Sequence, residues 1–388
     1  MSFPKLLAAL LLAILAQTLT AHEARAQAYE AKLPAEVHTA PDLCAWVPCT
    51  EVFPGATHFS HRKGRPPYVE AYGDADPQQP GRRQLLGYVM LSTDITDTPA
   101  YSGKPVVTLI GMDTEGRFVG VKVLKHSEPI LLLGIPESAL VKFNEQYLGK
   151  SVASQIEVGP SRPDEDVIGV DAISGATVTV IAQNQVMMLS GAAVARQVGI
   201  IAPTIRERAR FVTTDQRLDW DELRRLGAVQ RLLVKPEQVG LPRGPEPFIE
   251  LWFGDLNHPD LGRSLLGERG YDNLRIHLGP NDSAFFVIRT AGAESFKGSG
   301  FVRGGIYDRI QVKQGADAFT FRDLDAYNLY GLEAEGAPRY TESSIFVVRS
   351  ESFSAAYPWK LSFLGNRIDR ATGQRSFAVF ESAYWLPA

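Results

Sequence analysis

The sequence predicts an α+β protein: a meander sheet with helices, followed by a β-rich region that suits a sandwich. Three observations predict it. Residues 85–91 and 106–112 are apolar, strand-like runs, the second followed by a turn at Asp113-Thr114-Glu115-Gly116 and then by 118–124 with apolar alternation, as in adjacent strands joined by tight turns. A short apolar run at 167–170 leads through Ser174-Gly175 into a long helical stretch at 178–198. From Pro247 onward, short strand-like segments alternate with Gly, Asn and Pro, the punctuation of an all-β region.

The chain has 388 residues, 45% of them hydrophobic, enough for two or three domains with their own cores. Its 40 basic and 44 acidic residues leave a net charge of -4. No global field would draw such a protein onto nucleic acid or an anionic membrane.

Taken in order, the first element is a targeting segment. Lys5 precedes an apolar run at 6–16, and Ala24-Arg25-Ala26-Gln27-Ala28 offers small-residue cleavage sites after Ala26 or Ala28. This predicts a signal peptide at 1–26 and an exported, periplasmic mature chain, with an uncleaved anchor as the other reading. No later stretch approaches the roughly 20 continuous apolar residues of a membrane span.

Residues 27–83 form an N-terminal segment and linker. Cys44 and Cys49 fall in it; in an oxidising compartment they are candidates for a short-loop disulfide, with a redox-active pair as the sharper alternative. Pro66-Pro67, Pro77 and Pro80-Gly81 disfavour helix and sheet interior between about 62 and 83. Residues 84–200 carry the meander, a helix at 137–148 and the strand, turn and helix near 167–198. Residues 201–246 are expected as a helical connector after Pro203, with a charge-rich helix at 219–226. The β-rich domain, 247–388, holds seven expected strands: 249–253, 272–277, 284–289, 308–312, 344–349, 359–363 and 376–380. No internal repeat is evident.

The chemistry concentrates in Asp171-Ala172-Ile173-Ser174-Gly175-Ala176-Thr177. Ser174 is suited to capping a helix, Gly175 to a tight turn, and the unpaired amides of a first helical turn to an anion such as phosphate. The plain alternative is an ordinary capped helix. In context the segment resembles the flavinylation motif of the FMN-binding domain family: Asp, two variable residues, Ser or Thr, then Gly-Ala-Thr. The resemblance implies that Thr177 is esterified to FMN by a separate magnesium-dependent flavin transferase that uses FAD. It also implies that Asp171, Ser174, Gly175 and Ala176 form the turn the transferase recognises.

A second patch, Lys125-His126-Ser127-Glu128-Pro129 followed by Ile130-Leu131-Leu132-Leu133-Gly134, is similar to the family's His-x-Glu-Thr-Pro-Gly, with the Thr missing. It implies places for His126 and Glu128 near the isoalloxazine; otherwise they are polar residues at a strand end. Residues 130–133 either pack on the flavin or belong to the core.

Nearly the whole chain resembles the N-terminal extracytoplasmic region of the NosR-like membrane flavoproteins needed for nitrous oxide reduction. Such proteins continue into transmembrane helices and a ferredoxin-like region, which this sequence lacks. The expected role is an electron-transfer component rather than an autonomous enzyme, with nitrous oxide reductase or its assembly factors as partners and no nucleic acid. A non-catalytic assembly or redox-sensing module, and an FMN subunit of an ion-pumping redox complex, are the alternatives.

Other signals carry less. Gly298-Ser299-Gly300 and Gly304-Gly305 read as a β-turn rather than a phosphate loop. His58-x-x-His61 has no third ligand nearby, and no Gly-x-Ser-x-Gly elbow appears.

Overall fold

The computed structural model describes residues 33–34, 36–74, 83–298, 306–315, 317–368 and 375–386. The expected signal peptide, part of the linker and most of the glycine-rich stretch after Gly298 lie outside them. The chain is α+β, as its sequence predicts, and divides into two compact units. One comprises the chain up to Thr98, Lys104–Val152 and Gln185–Ile200; the other Pro99–Gly103, Ala153–Asn184 and the chain from Ile201 on.

The first unit is built on a five-stranded antiparallel meander, β1 (His58–Phe59), β2 (Val69–Asp74), β3 (Arg83–Leu91), β4 (Val107–Asp113) and β5 (Phe118–Lys125), in sequential order. β2 corrects the linker expectation. After Pro66-Pro67 a strict alternation sets in at Val69, with Val69 and Ala71 fully buried between Glu70 and Tyr72, which fits a half-buried strand.

Before the sheet come two single-turn helices, α1 (Glu36–Thr39) and α2 (Cys49–Val52). Val37, Leu43, Val47, Val52 and Phe53 form one core with Val69, Val89, Leu91 and Leu109 of the sheet. Cys44 and Cys49 are bonded to each other, with Cα atoms 5.4 Å apart. α2 presses its backbone onto the sheet where Gly111 and Gly120 pair across β4 and β5. A methyl at either glycine would stand 2.2 or 2.0 Å from the Val52 carbonyl oxygen, so only a residue without Cβ admits this approach.

β5 runs out into α3 (Pro129–Leu133) and α4 (Ser138–Glu145). On α4, Leu140 and Phe143 face inward, and Tyr147 beyond it packs edge-on against Phe143 and Phe118.

The second unit begins with a two-stranded parallel sheet, β6 (Gln155–Val158) and β7 (Val167–Val170). α5 (Thr177–Gln197) follows and continues into the first unit. By length and mean hydropathy, 1.3, α5 could cross a membrane, but 72% of that window is buried inside the protein. Gln183, Asn184 and Ser190 interrupt its apolar surface, which marks a core helix rather than a span.

The rest of this unit contains α6 (Trp220–Arg225), β8 (Gln230–Val234), β9 (Ile249–Asp255), α7 (Pro259–Ile276), β10 (Asp282–Ala291), β11 (Ile306–Gln314), β12 (Asp317–Arg322), β13 (Ala326–Tyr327), β14 (Glu342–Arg349), β15 (Trp359–Ile368) and β16 (Arg375–Tyr384). One sheet is ordered β13-β14-β10-β9-β8, the other β12-β11-β15-β16. Phe253, Phe285 and Phe346 of the first sheet share a core with Tyr307, Phe321, Trp359 and Phe363 of the second, so the sandwich is real. Along β10 the alternate residues Ala284, Phe286 and Ile288 face a different core, built with Trp220, Leu261 and Leu265 of the helices. The result is three layers: helices, a five-stranded sheet and a four-stranded sheet.

Two expectations are corrected here. Residues 272–277 are the end of α7, not a strand. The connector at 201–246 is mostly without regular structure, with a six-residue helix, α6, the strand β8 and a 3-10 turn at Pro236–Val239. Its charges lie on a strap pinned by side chains: Arg206 to Asp317 at 3.0 Å, and Thr214 to Asp260 through both its amide and its hydroxyl.

Candidate functional site

β7 delivers the chain at Val170 into the turn 171–176, and α5 takes it away. Inside the turn the Ala176 amide donates to the Ile173 carbonyl at 3.0 Å, and Gly175 adopts φ 83°, which a side chain at that position would strain. Asp171, Ser174 and Gly175 are exposed, Ala176 is buried, and Thr177 is half-buried at the first helical position.

The Val180 amide donates to the Ala176 carbonyl at 3.0 Å. Ala176 therefore occupies the capping position, and Ser174, expected as the cap, stands in the turn ahead of the helix. The amides of Thr177 and Val178 precede the first hydrogen bond of the helix ladder to fall within the helix, and no carboxylate lies in its first turn. Both facts favour an anion at this pole. Thr177, half-buried, brings a hydroxyl-bearing side chain to the same end.

α5 is also tied sideways. The Asn184 side-chain amide donates to the Ile156 carbonyl of β6 at 3.2 Å. Gly169 of β7 leaves no room either: a methyl there would meet the Gly159 carbonyl oxygen at 2.2 Å. Close backbone packing at Gly169 holds the strand that enters the turn, and a side-chain hydrogen bond from Asn184 ties the helix that leaves it.

In the first unit, His126 and Glu128 follow the end of β5 and are fully buried rather than solvated. Nδ1 of His126 accepts from the Glu128 amide at 3.3 Å, and Nε2 lies 3.6 Å from a carboxylate oxygen of Glu137. Burial pushes the imidazole's pKa down; the carboxylates of Glu137 and Glu128 oppose this without overcoming it. A neutral ring follows at pH 7. Glu128 precedes α3 without capping it by its side chain. Leu131 is buried and Ile130 half-buried.

Asp171, Ser174, Gly175, Ala176 and Thr177 thus form one turn, and His126 and Glu128 one buried group in the other unit. Sequence reasoning missed Glu137 beside His126. It also missed Glu157 on β6, where Lys313 and Arg162 reach its carboxylate at 2.5 and 2.8 Å. The only sequence trace of either is an acidic residue near a chemically suggestive patch.

A model of the FMN-binding domain matches residues 101–189, a span that contains the turn as well as His126 and Glu128. The chain is 39% identical to "Regulatory protein NosR" of Stutzerimonas stutzeri over 326 residues, 78% of this chain and 44% of that protein. It is 38% identical to the protein of the same name from Pseudomonas aeruginosa over 348 residues, 83% of this chain and 48% of that one. "Protein NirI" of Paracoccus denitrificans is 26% identical over 272 residues, 68% of this chain and 38% of that protein. The chain spans less than half the length of these relatives, and no solved structure matches it. Over most of its own length the chain is homologous to the NosR regulatory proteins, and it carries within that length an FMN-binding domain.

Proposed function

We propose that Thr177 carries FMN as a phosphoester and that the chain is the periplasmic, flavin-bearing portion of an electron-transfer protein. It would pass electrons toward nitrous oxide reductase or support that enzyme's maturation during denitrification. The observation that carries this reading is the turn itself: within the FMN-binding match, Thr177 opens a 21-residue helix whose first turn holds no carboxylate.

In the proposed maturation, a flavin transferase brings FAD to the exposed turn, with Asp171, Ser174, Gly175 and Ala176 as the surface it reads. The Thr177 hydroxyl forms the new ester bond to phosphorus as the phosphoanhydride breaks; AMP leaves and the hydroxyl proton passes to a base. The resulting anionic ester would face the positive pole of α5. The flavin, once held, supplies one- and two-electron transfer. His126, buried and neutral, and Glu128 are the residues to vary for an effect on the ring's potential.

The test is an intact mass of protein exported from a host with an active flavin transferase, denatured to strip loose ligand, beside Thr177→Ala. A gain of one FMN less water on the native chain alone supports the reading; no gain despite a working transferase overturns it. A second reading, a redox-sensing or assembly module, draws support from the word "Regulatory" in the relatives' names. Mixing the reduced, loaded protein anaerobically with nitrous oxide reductase separates the two: reoxidation of the flavin band favours the relay, and a band that stays bleached favours the sensor.

A further inference from the structure

We infer that the β-rich layers position the flavin-bearing turn, and that Lys313 does this by clamping Glu157 of β6. The inference rests on the assignment of the flavin to Thr177.

β6 touches both ends of the turn. Its Glu157 and Val158 pair in register with Gly169 and Val170, the last residues of β7 before Asp171. Its Ile156 carbonyl accepts from Asn184 of α5 at 3.2 Å. A shift of β6 would therefore move the strand entering the turn and the helix leaving it.

β6 is in turn gripped by its one buried carboxylate. Glu157 accepts from Lys313 at 2.5 Å and from Gln155 at 2.6 Å on one oxygen, and from Arg162 at 2.8 Å on the other. Lys313, its side chain 3% exposed, also reaches Glu381 at 2.7 Å. Glu381 accepts further from Ser362 at 2.8 Å and Lys360 at 3.0 Å. Lys313, Lys360 and Glu381 stand on β11, β15 and β16, so three adjacent strands of one sheet hold the ammonium in place.

Burial pushes both carboxyls up, but the Lys313 ammonium and the hydrogen bonds outweigh it. Glu157 ends below the usual range and Glu381 at about 2. A buried ion pair adds little stability over apolar residues of the same shape, yet its geometry is directional and fixes register. Register is what a turn presented to a transferase needs, since a misplacement of about 1 Å costs large factors in rate.

The experiment compares Lys313→Met, Lys313→Arg, Glu157→Gln and Lys360→Ala in the full chain, each confirmed folded by circular dichroism. Two readouts are taken: the initial rate of flavin loading by intact mass, and amide exchange of the flavin-free protein. Lys313→Met and Glu157→Gln should each slow loading about tenfold and raise exchange across 169–180 while leaving β9 and β10 protected. Lys313→Arg should recover most of the rate, and Lys360→Ala, which removes one partner of Glu381 and leaves the Lys313–Glu157 contact in place, should slow loading less than Lys313→Met. Wild-type loading in Lys313→Met with unchanged exchange at 169–180 overturns the inference. If Lys313→Met does not fold, Glu157→Gln, which keeps the side-chain volume, decides by the same criteria. If the native chain never loads, the flavin assignment fails, while the exchange data still decide whether Lys313 positions the turn.

Discussion

The meander unit and the β-rich layers bury their surfaces by opposite means. In the first, backbone meets backbone: α2 lies on Gly111 and Gly120, and a disulfide closes the segment before it. In the second, large side chains fill the space. Phe285 stacks on Phe346 at 5.6 Å and Trp359 on Tyr384 at 4.7 Å, and the Tyr384 hydroxyl donates to the Ala228 carbonyl while accepting from the Asp255 amide, both at 3.0 Å. The first should be intolerant of added atoms, the second of removed ones.

The largest effect that would break this contrast is Phe285→Ala. A fully buried aromatic removed from between two sheets should cost about 3–5 kcal/mol in urea unfolding, and a loss under about 1 kcal/mol would mean that the layers collapse to fill the gap. Gly120→Ala is its counterpart. With backbone in the way it should cost about 2–3 kcal/mol, despite adding only one methyl.

Acidification sharpens the comparison. Burial raises Asp255 and Asp308 to about 6, against the hydrogen bonds that Asn257 and His258 make to the first and the charge of Arg309 beside the second. Carboxyls with raised folded pKa destabilise above that pKa and cease to do so as pH falls toward the unfolded value. From pH 7 to 5 the β-rich unit should gain about 1 kcal/mol per carboxyl. His126 has a lowered pKa, so acidification below its unfolded value works against the meander unit. Trp220, Trp252, Trp359 and Trp385 report the second unit and Trp46 the first; urea midpoints that move together would refute the contrast.

Two smaller effects complete it. Replacing Cys44 and Cys49 by Ser should cost about 2 kcal/mol, the closure entropy of a short loop, felt in the first unit. Asp219→Ala should cost about 1 kcal/mol, because Asp219 and Glu222 cap α6 reciprocally at 2.8 and 3.0 Å.

What the sequence showed follows the same division. The candidate turn is seven consecutive residues, so it could be read in one line; the meander announced itself by apolar runs about a tight turn, and the cysteine pair by proximity. The clamp draws on residues 157, 162, 313, 360 and 381, which no local pattern connects. α7 was misread near its end because Gly262, Gly267 and Gly270 break the helical signal. Gly262 is there because a methyl would meet the Tyr271 ring at 2.3 Å, and Gly267 takes φ 71° and bends the helix. β2 was hidden by the prolines that precede it.

The acidity of Glu381 has one more consequence. A carboxyl held at about 2 has no proton to give at neutral pH, and Glu157 is displaced in the same direction. The two carboxyls are thus fixed charges: they stay ionised across the pH range in which flavins exchange protons, and give none of their own. A proton that accompanies an electron onto a group at Thr177 would not come from Glu157 or Glu381.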